Sequence, residues 1–284
     1  MTDLKPFSHH FVWLSALFIL GSSIINLPFN NADKLTFLGF IVAFLLSLLL
    51  VFWVYEFDFL KYPIVLLAVY FLGEALIVFL QFISKTLLPK NQNFWVLLLF
   101  LVPLIYFCFR KTTEILNFSL ISGVTCGLLL IFFFFATLKD FNLENIYIYS
   151  FPKVKNLFYQ ALPYVKSVTL PIAVLALYAK QHKTSKTVAI TGICVGNTFL
   201  LISIFNSVLL FGAKMSGEFN YPYAMAISTV TFGNLFSRLD GFSYFIYFVT
   251  TLIKATVCIK VIKSEIGVYL CLPLEGKVPS IRGG

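Results

Sequence analysis

Apolar residues run along this chain in eight long blocks, separated by short polar breaks. The blocks cover residues 11–29, 35–54, 62–84, 94–109, 115–137, 157–179, 187–212 and 240–262. A membrane-spanning helix needs about 20 predominantly apolar residues, and within a bilayer a helix satisfies its own backbone polar groups. The pattern predicts an all-α polytopic membrane domain over residues 1–262, with about eight transmembrane helices. Two connections are longer. Residues 138–156 form a polar, aromatic loop, and residues 213–239 are expected to hold a short interfacial helix rich in aromatics. Residues 263–284 hold no span and are expected to form a loose tail. The first block lacks a strongly basic start and a small-x-small cleavage site, so it reads as a retained helix.

Composition agrees with the pattern. Of 284 residues, 60% are hydrophobic and only 12% are charged, against ~25% charged in soluble domains. The mean hydropathy is +0.92. A net charge of +9 suits loops lying against anionic headgroups. Nucleic-acid binding fits poorly, because the basic residues do not cluster on a soluble module. The cysteines, Cys108, Cys126, Cys194, Cys258 and Cys271, form no CxxC pair and read as packing residues rather than a disulfide framework. Lysine and arginine counts barely favour an orientation. The loop KQHKTSK (180–186), with three lysines in seven residues, places the N-terminus inside.

In such a chain the informative residues are the polar ones inside spans. The first block ends in LGSSIINLPFN (20–30), where Gly21, Ser22 and Ser23 weaken the helix and Pro28 removes a donor. Either the helix ends there or packs closely through its small residues, or the freed backbone faces a ligand. In the sixth block, ALPYVKSVTLP (161–171), two prolines bracket Lys166, Ser167 and Thr169, which predicts a true break. Breaks in the first and sixth spans suit an inverted repeat of five plus five helices, in which half-helix ends build a midplane site. Glu74, in mid-span, shares a helical face with Tyr70 and Gln81. It reads as a structural carboxyl, a solute contact or a proton site, and Lys166 at similar depth is a candidate partner for it. Lys254 is expected to snorkel to the headgroups, and Asn197, Asn206 and Ser207 to bridge helices. No phosphate-binding glycine loop, HExxH or Cys/His cluster is visible, and His9-His10 is a weak metal signal. No catalytic residue, cofactor or metal is therefore expected.

The segment GEFNYPYAMAISTVTFGNLFSRLDGFSYFIYFVTTLIK (217–254) resembles a motif of the spore germination permease family, the B subunits of GerA-type germinant receptors in the amino acid–polyamine–organocation superfamily. The matching residues are Tyr221-Pro222 and Arg238-Leu239-Asp240, followed by an aromatic span. LGSSIINLP, FLQFISKTLLPKNQNFW (79–95) and ALPYVKSVTLPIAVLALYAK are similar to further stretches of that family, so the resemblance covers about residues 10–263. It implies a LeuT-like five-plus-five bundle with the second repeat shortened, since the family has ten spans. Asp240 stands where the family has glutamate, and Tyr244 or Tyr247 where it has tryptophan. The implied role is sensing a small nutrient, an amino acid or sugar, in a bacterial spore inner membrane beside an A-type membrane subunit and a C-type lipoprotein. On this reading backbone groups at Gly21, Ser22 and Ser23 hold one end of the solute, and Glu74, Lys166 and Ser167 supply side chains. The alternatives are an amino acid or cation transporter with Glu74 as proton site, and a structural membrane subunit without a ligand.

Overall fold

The computed structural model describes residues 5–25, 36–86, 93–145, 154–229 and 240–270. Among these residues there is no strand. The long helices are α1 (Lys5–Ile25), α2 (Thr36–Glu56), α3 (Lys61–Thr86), α4 (Asn93–Phe109) and α5 (Thr112–Thr137). Then come α6 (Val154–Tyr164), a π-helical turn (Val165–Thr169), α7 (Leu170–Gln181) and α8 (Lys186–Phe211). Two short helices, α9 (Ala213–Glu218) and α10 (Pro222–Ser228), lead towards α11 (Asp240–Leu270). Seven of the described helical segments, counting α6, the π turn and α7 as one, are long and apolar enough to cross a membrane.

The fourth expected span, 94–109, is the exception. The described helix has 17 residues, about 25 Å at ~1.5 Å per residue, short of a ~30 Å hydrocarbon core. The loop expected over 138–156 begins with two 3-10 turns, Leu138–Asp140 and Leu143–Asn145. In place of the single interfacial helix expected in 213–239, the described residues 213–229 form two short helices, α9 and α10, split at Phe219–Tyr221 and restarted by Pro222. The last helix runs to Leu270, past the expected end at 262.

Polarity is arranged for lipid. Leu45, Leu49 and Trp53 on α2, Leu66 and Ile77 on α3, Leu99 and Val102 on α4, and Ile121 and Leu128 on α5 all point outward. A water-soluble protein rarely shows an apolar surface of that extent. The inner layer is equally clear. The spans of α1, α6–α7 and α11 are 72%, 67% and 72% buried, whereas that of α3 is 28% buried.

Small residues let α1 sit at the centre. On α8, Gly192 and Gly196 are spaced four apart. A Cβ at Gly192 would lie 2.5 Å from Ser15 Cβ, and one at Gly196 would lie 3.0 Å from Ala16 Cα. On α5, a Cβ at Gly123 would lie 2.9 Å from the Trp13 ring. Glycines at this spacing allow close helix approach where packing, rather than water exclusion, drives association. α1 is thereby gripped on two sides. Thr137 Oγ1 donates to Asn206 Oδ1 across α5 and α8 at 3.0 Å, so Asn206 bridges helices as its position suggested. Asn197 and Ser207 instead donate to carbonyls of their own helix, Ile193 and Ser203.

The lysines of the 180–186 loop tie one end of the bundle together. Lys180 Nζ lies 2.7 Å from Asp58 Oδ1 and donates to the Val54 carbonyl. Tyr55 donates its hydroxyl to the Thr184 carbonyl, and Ser185 caps α8 by accepting from the Val188 N–H.

Candidate functional site

The two expected breaks are present, and they touch. Gly21 has non-helical dihedrals (φ 16°, ψ −130°) inside α1. The run between the prolines widens into the π turn at Val165–Thr169, a form that recurs as single turns at functional sites. Ser23 Oγ donates to the Ser167 carbonyl at 2.7 Å. The local chemistry explains why that carbonyl is free. At α-helical spacing its donor would be the N–H of residue 171, which is proline and has none. Two residues on, Thr169 Oγ1 donates to the Ala43 carbonyl at 2.8 Å, which fixes the turn to α2.

The other side of the break is filled by a residue the sequence reading assigned to the headgroups. Lys254 is 1% exposed. Its stem lies along Gly21, where an added Cβ would come within 2.6 Å of Lys254 Cδ. Its Nζ donates to Ser22 Oγ at 2.7 Å and stands 5.4 Å from the centroid of the Phe71 ring. Snorkelling fails because α11 is an inner helix, so the lysine stem leads into the bundle rather than along lipid. A signal was present in the sequence: Thr250, Thr251 and Thr256 surround Lys254, an unusually polar run for a lipid-facing helix.

Lys166 behaves in the opposite way. Tyr164 and Val168 point inward and are buried, so Lys166, two residues from each, points outward. It is exposed, with Nζ 5.8 Å from the Tyr70 ring centroid. Glu74 is half-buried, and Tyr70 and Gln81 on the same helix are exposed. The expected Lys166–Glu74 pair is not formed: among the described residues no close ion pair includes either. Glu74 instead lies within electrostatic reach of both Lys166 and Lys254. Consecutive residues of α3, Tyr70 and Phe71, each receive one of the two lysines.

Of the residues expected at the site, Gly21, Ser22, Ser23 and Ser167 thus come together. Ser22 and Ser23 are buried, and Ser167 Oγ is buried without a hydrogen-bond partner. Pro28 and Arg238 lie outside the described residues. Tyr221 packs edge-on against Phe82, with centroids 4.9 Å apart, and Pro222 opens α10. Tyr221 also lines an open cavity of about 380 Å³ with Lys85, Glu218, Asn220 and Tyr244. Asp240 is the first residue of α11. Tyr247 is fully buried against Phe82, with centroids 4.7 Å apart. Among the described residues no group of three His, Cys, Asp or Glu side chains is placed to hold a metal.

Serine hydroxyls, a freed carbonyl and a buried amine therefore meet where two inner helices lose regular geometry. Comparison with known proteins found no matching family model, no matching curated protein and no matching solved structure.

Proposed function

We propose that this chain is a permease-like subunit of a spore germinant receptor, which binds a small nutrient within the membrane and signals to partner subunits. The observation that carries the reading is the hydrogen bond from Ser23 to the Ser167 carbonyl. It joins the breaks of the first and sixth spans, the positions where broken helices form midplane solute sites in repeat-built transporters. The burial of α1, α6–α7 and α11 against the outer helices supports the same arrangement, as do the order and spacing of the Tyr221-Pro222 and Arg238–Asp240 motifs. Solute binding between Gly21–Ser23 and Ser167 would separate the two breaks. A ligand that favours the separated state shifts the population towards it, and an A-type subunit and a C-type lipoprotein would read the shift.

The test is germination of spores carrying Gly21→Leu or Ser167→Leu, with protein levels checked. Loss of the nutrient response at normal levels supports the reading, and an unchanged response overturns it.

A second reading, a secondary transporter with Glu74 as proton site, is favoured by one observation: Glu74 interacts electrostatically with Lys166 at the surface and Lys254 in the centre. Solute uptake by the chain alone in proteoliposomes, abolished in Glu74→Gln, would select it.

A further inference from the structure

The cations at the end of the bundle that carries the 180–186 loop fall into two groups. Beside α2, each lysine has a carboxylate: Lys180 lies 2.7 Å from Asp58, and Lys186 lies 3.5 Å from Glu56. Where the corner between α4 and α5 meets α11, the balance fails. Arg110 and Lys111 form the corner, and Lys260 and Lys263 come from α11. The two acids nearby are already engaged. Glu114 pairs with Arg110 at 3.3 Å, and Glu265 accepts from Gln181 at 2.7 Å. Among the described residues no close ion pair includes Lys111, Lys260 or Lys263.

Lys260 is the fixed member of the group. Its Nζ donates to the Arg110 carbonyl at 2.7 Å, which uses one of three N–H donors and ties α11 to the corner. Lys263, one turn further along α11, shares that face and interacts with Lys260 electrostatically. Like charges so placed repel, and an anion between them removes the repulsion. Cys108 and His182 also lie within electrostatic reach of Lys260. A thiol and an imidazole bring no stable negative charge at neutral pH.

The corner also borders the lipid-facing surface. Ile105, Tyr106 and Phe109 on the last turns of α4, and Ile266 on α11, are exposed, so apolar surface runs up to the cations. The Arg110 guanidinium lies 4.5 Å from the Tyr106 ring centroid. A helix as short as α4 draws the bilayer surface towards its ends, which brings headgroups to the corner. A free anion would use the cations alone. A phospholipid uses both surfaces, with its phosphate on the amines and its chains along α4.

We propose that Lys260, Lys263 and the Arg110–Lys111 corner form a binding site for the phosphate of an anionic phospholipid, whose acyl chains lie along the exposed face of α4. The bound phosphate links α11 to the α4–α5 corner. The site shares no residue with the solute site proposed above and does not depend on that reading.

The experiment is thermal unfolding of the purified full chain in phosphatidylcholine nanodiscs containing increasing mole fractions of phosphatidylglycerol, at fixed ionic strength. The midpoint should rise with phosphatidylglycerol and saturate. Lys260→Gln and Lys263→Gln should each weaken the apparent affinity about fivefold. Lys61→Gln, which removes a cation beside Asp58 at the same end, should leave it unchanged. Lys260→Gln also loses its bond to Arg110, so the quantity read is the increment caused by phosphatidylglycerol and not the starting midpoint. Lys263 is exposed, and Lys263→Gln decides if Lys260→Gln does not fold. Equal weakening by Lys61→Gln would mean diffuse surface charge and overturns the proposal. So does a midpoint indifferent to phosphatidylglycerol. An equal rise with inorganic phosphate in pure phosphatidylcholine discs overturns the lipid as its source.

Discussion

Ser23 and Ser167 are 144 residues apart in sequence and 2.7 Å apart in space, a hydroxyl on one broken helix held by a carbonyl on another. Pro171 makes the bond available by failing to donate to that carbonyl. Ser23→Ala should therefore cost about 1 kcal/mol of stability. Pro171→Ala supplies an N–H to Ser167, so Ser23→Ala should cost less in that background. A double-mutant cycle on reversible unfolding in mixed micelles measures the difference. Equal costs in both backgrounds would show that the carbonyl does not depend on Ser23.

Gly21→Ala places a methyl 2.6 Å from Lys254 Cδ and 3.1 Å from its Cβ. The lysine stem must move, at a cost of about 1–3 kcal/mol. Combined with Lys254→Ala, which removes Cδ, the nearest atom, and leaves Cβ at 3.1 Å, the substitution should cost less than it does alone. Strict additivity in the same unfolding assay would mean that the two residues do not meet.

The glycines divide into two kinds. Gly192→Val drives into Ser15 and the α1 backbone at Val12 and should destabilise the bundle by about 3 kcal/mol. Gly73 has nothing within 4 Å of an added Cβ. Gly73→Ala should be neutral, or stabilise α3 by up to about 1 kcal/mol through helix propensity. Unfolding midpoints of the two variants make the comparison.

His182, in the loop after α7, stacks edge-on with Tyr178 at 4.5 Å. The residue keeps an exposed side, but the partial desolvation of its ring against Tyr178, and next the charge of Lys260, hold its pKa below the ordinary 6.5. Its neutral form is thus favoured in the folded state. The stability it contributes is complete above pH 6.5 and is lost as pH falls through the lowered value. The unfolding midpoint should fall on acidification below 6.5, and His182→Asn should flatten that slope. A slope identical in the variant would assign the effect to other groups.

The helical membrane character was legible because apolar blocks of span length leave few alternatives. The breaks were legible too, since glycine, serine and proline change backbone energetics locally. What could not be read was rotation. Lys166 looked buried because it lies mid-span between prolines, yet its direction follows from Tyr164 and Val168 facing inward. Lys254 looked peripheral because a lysine stem in a span can snorkel to the headgroups, and its burial depends on α11 being an inner helix. Both are facts of tertiary packing, and depth along a helix says nothing about azimuth. The grip on α1 was half visible: Gly192 and Gly196 show the spacing, but Ser15 as the opposing residue is known only from the assembled bundle.

The wide turn at Val165–Thr169 is a dislocation in an otherwise regular helical lattice. Sliding it by one residue would turn the residues it passes by about 100° relative to the rest of the bundle without breaking the chain's continuity. Ser23 pins it from α1 and Ala43 pins it from α2 through Thr169. Two hydrogen bonds to two different helices thus hold the dislocation in place, and both must be released before it could travel.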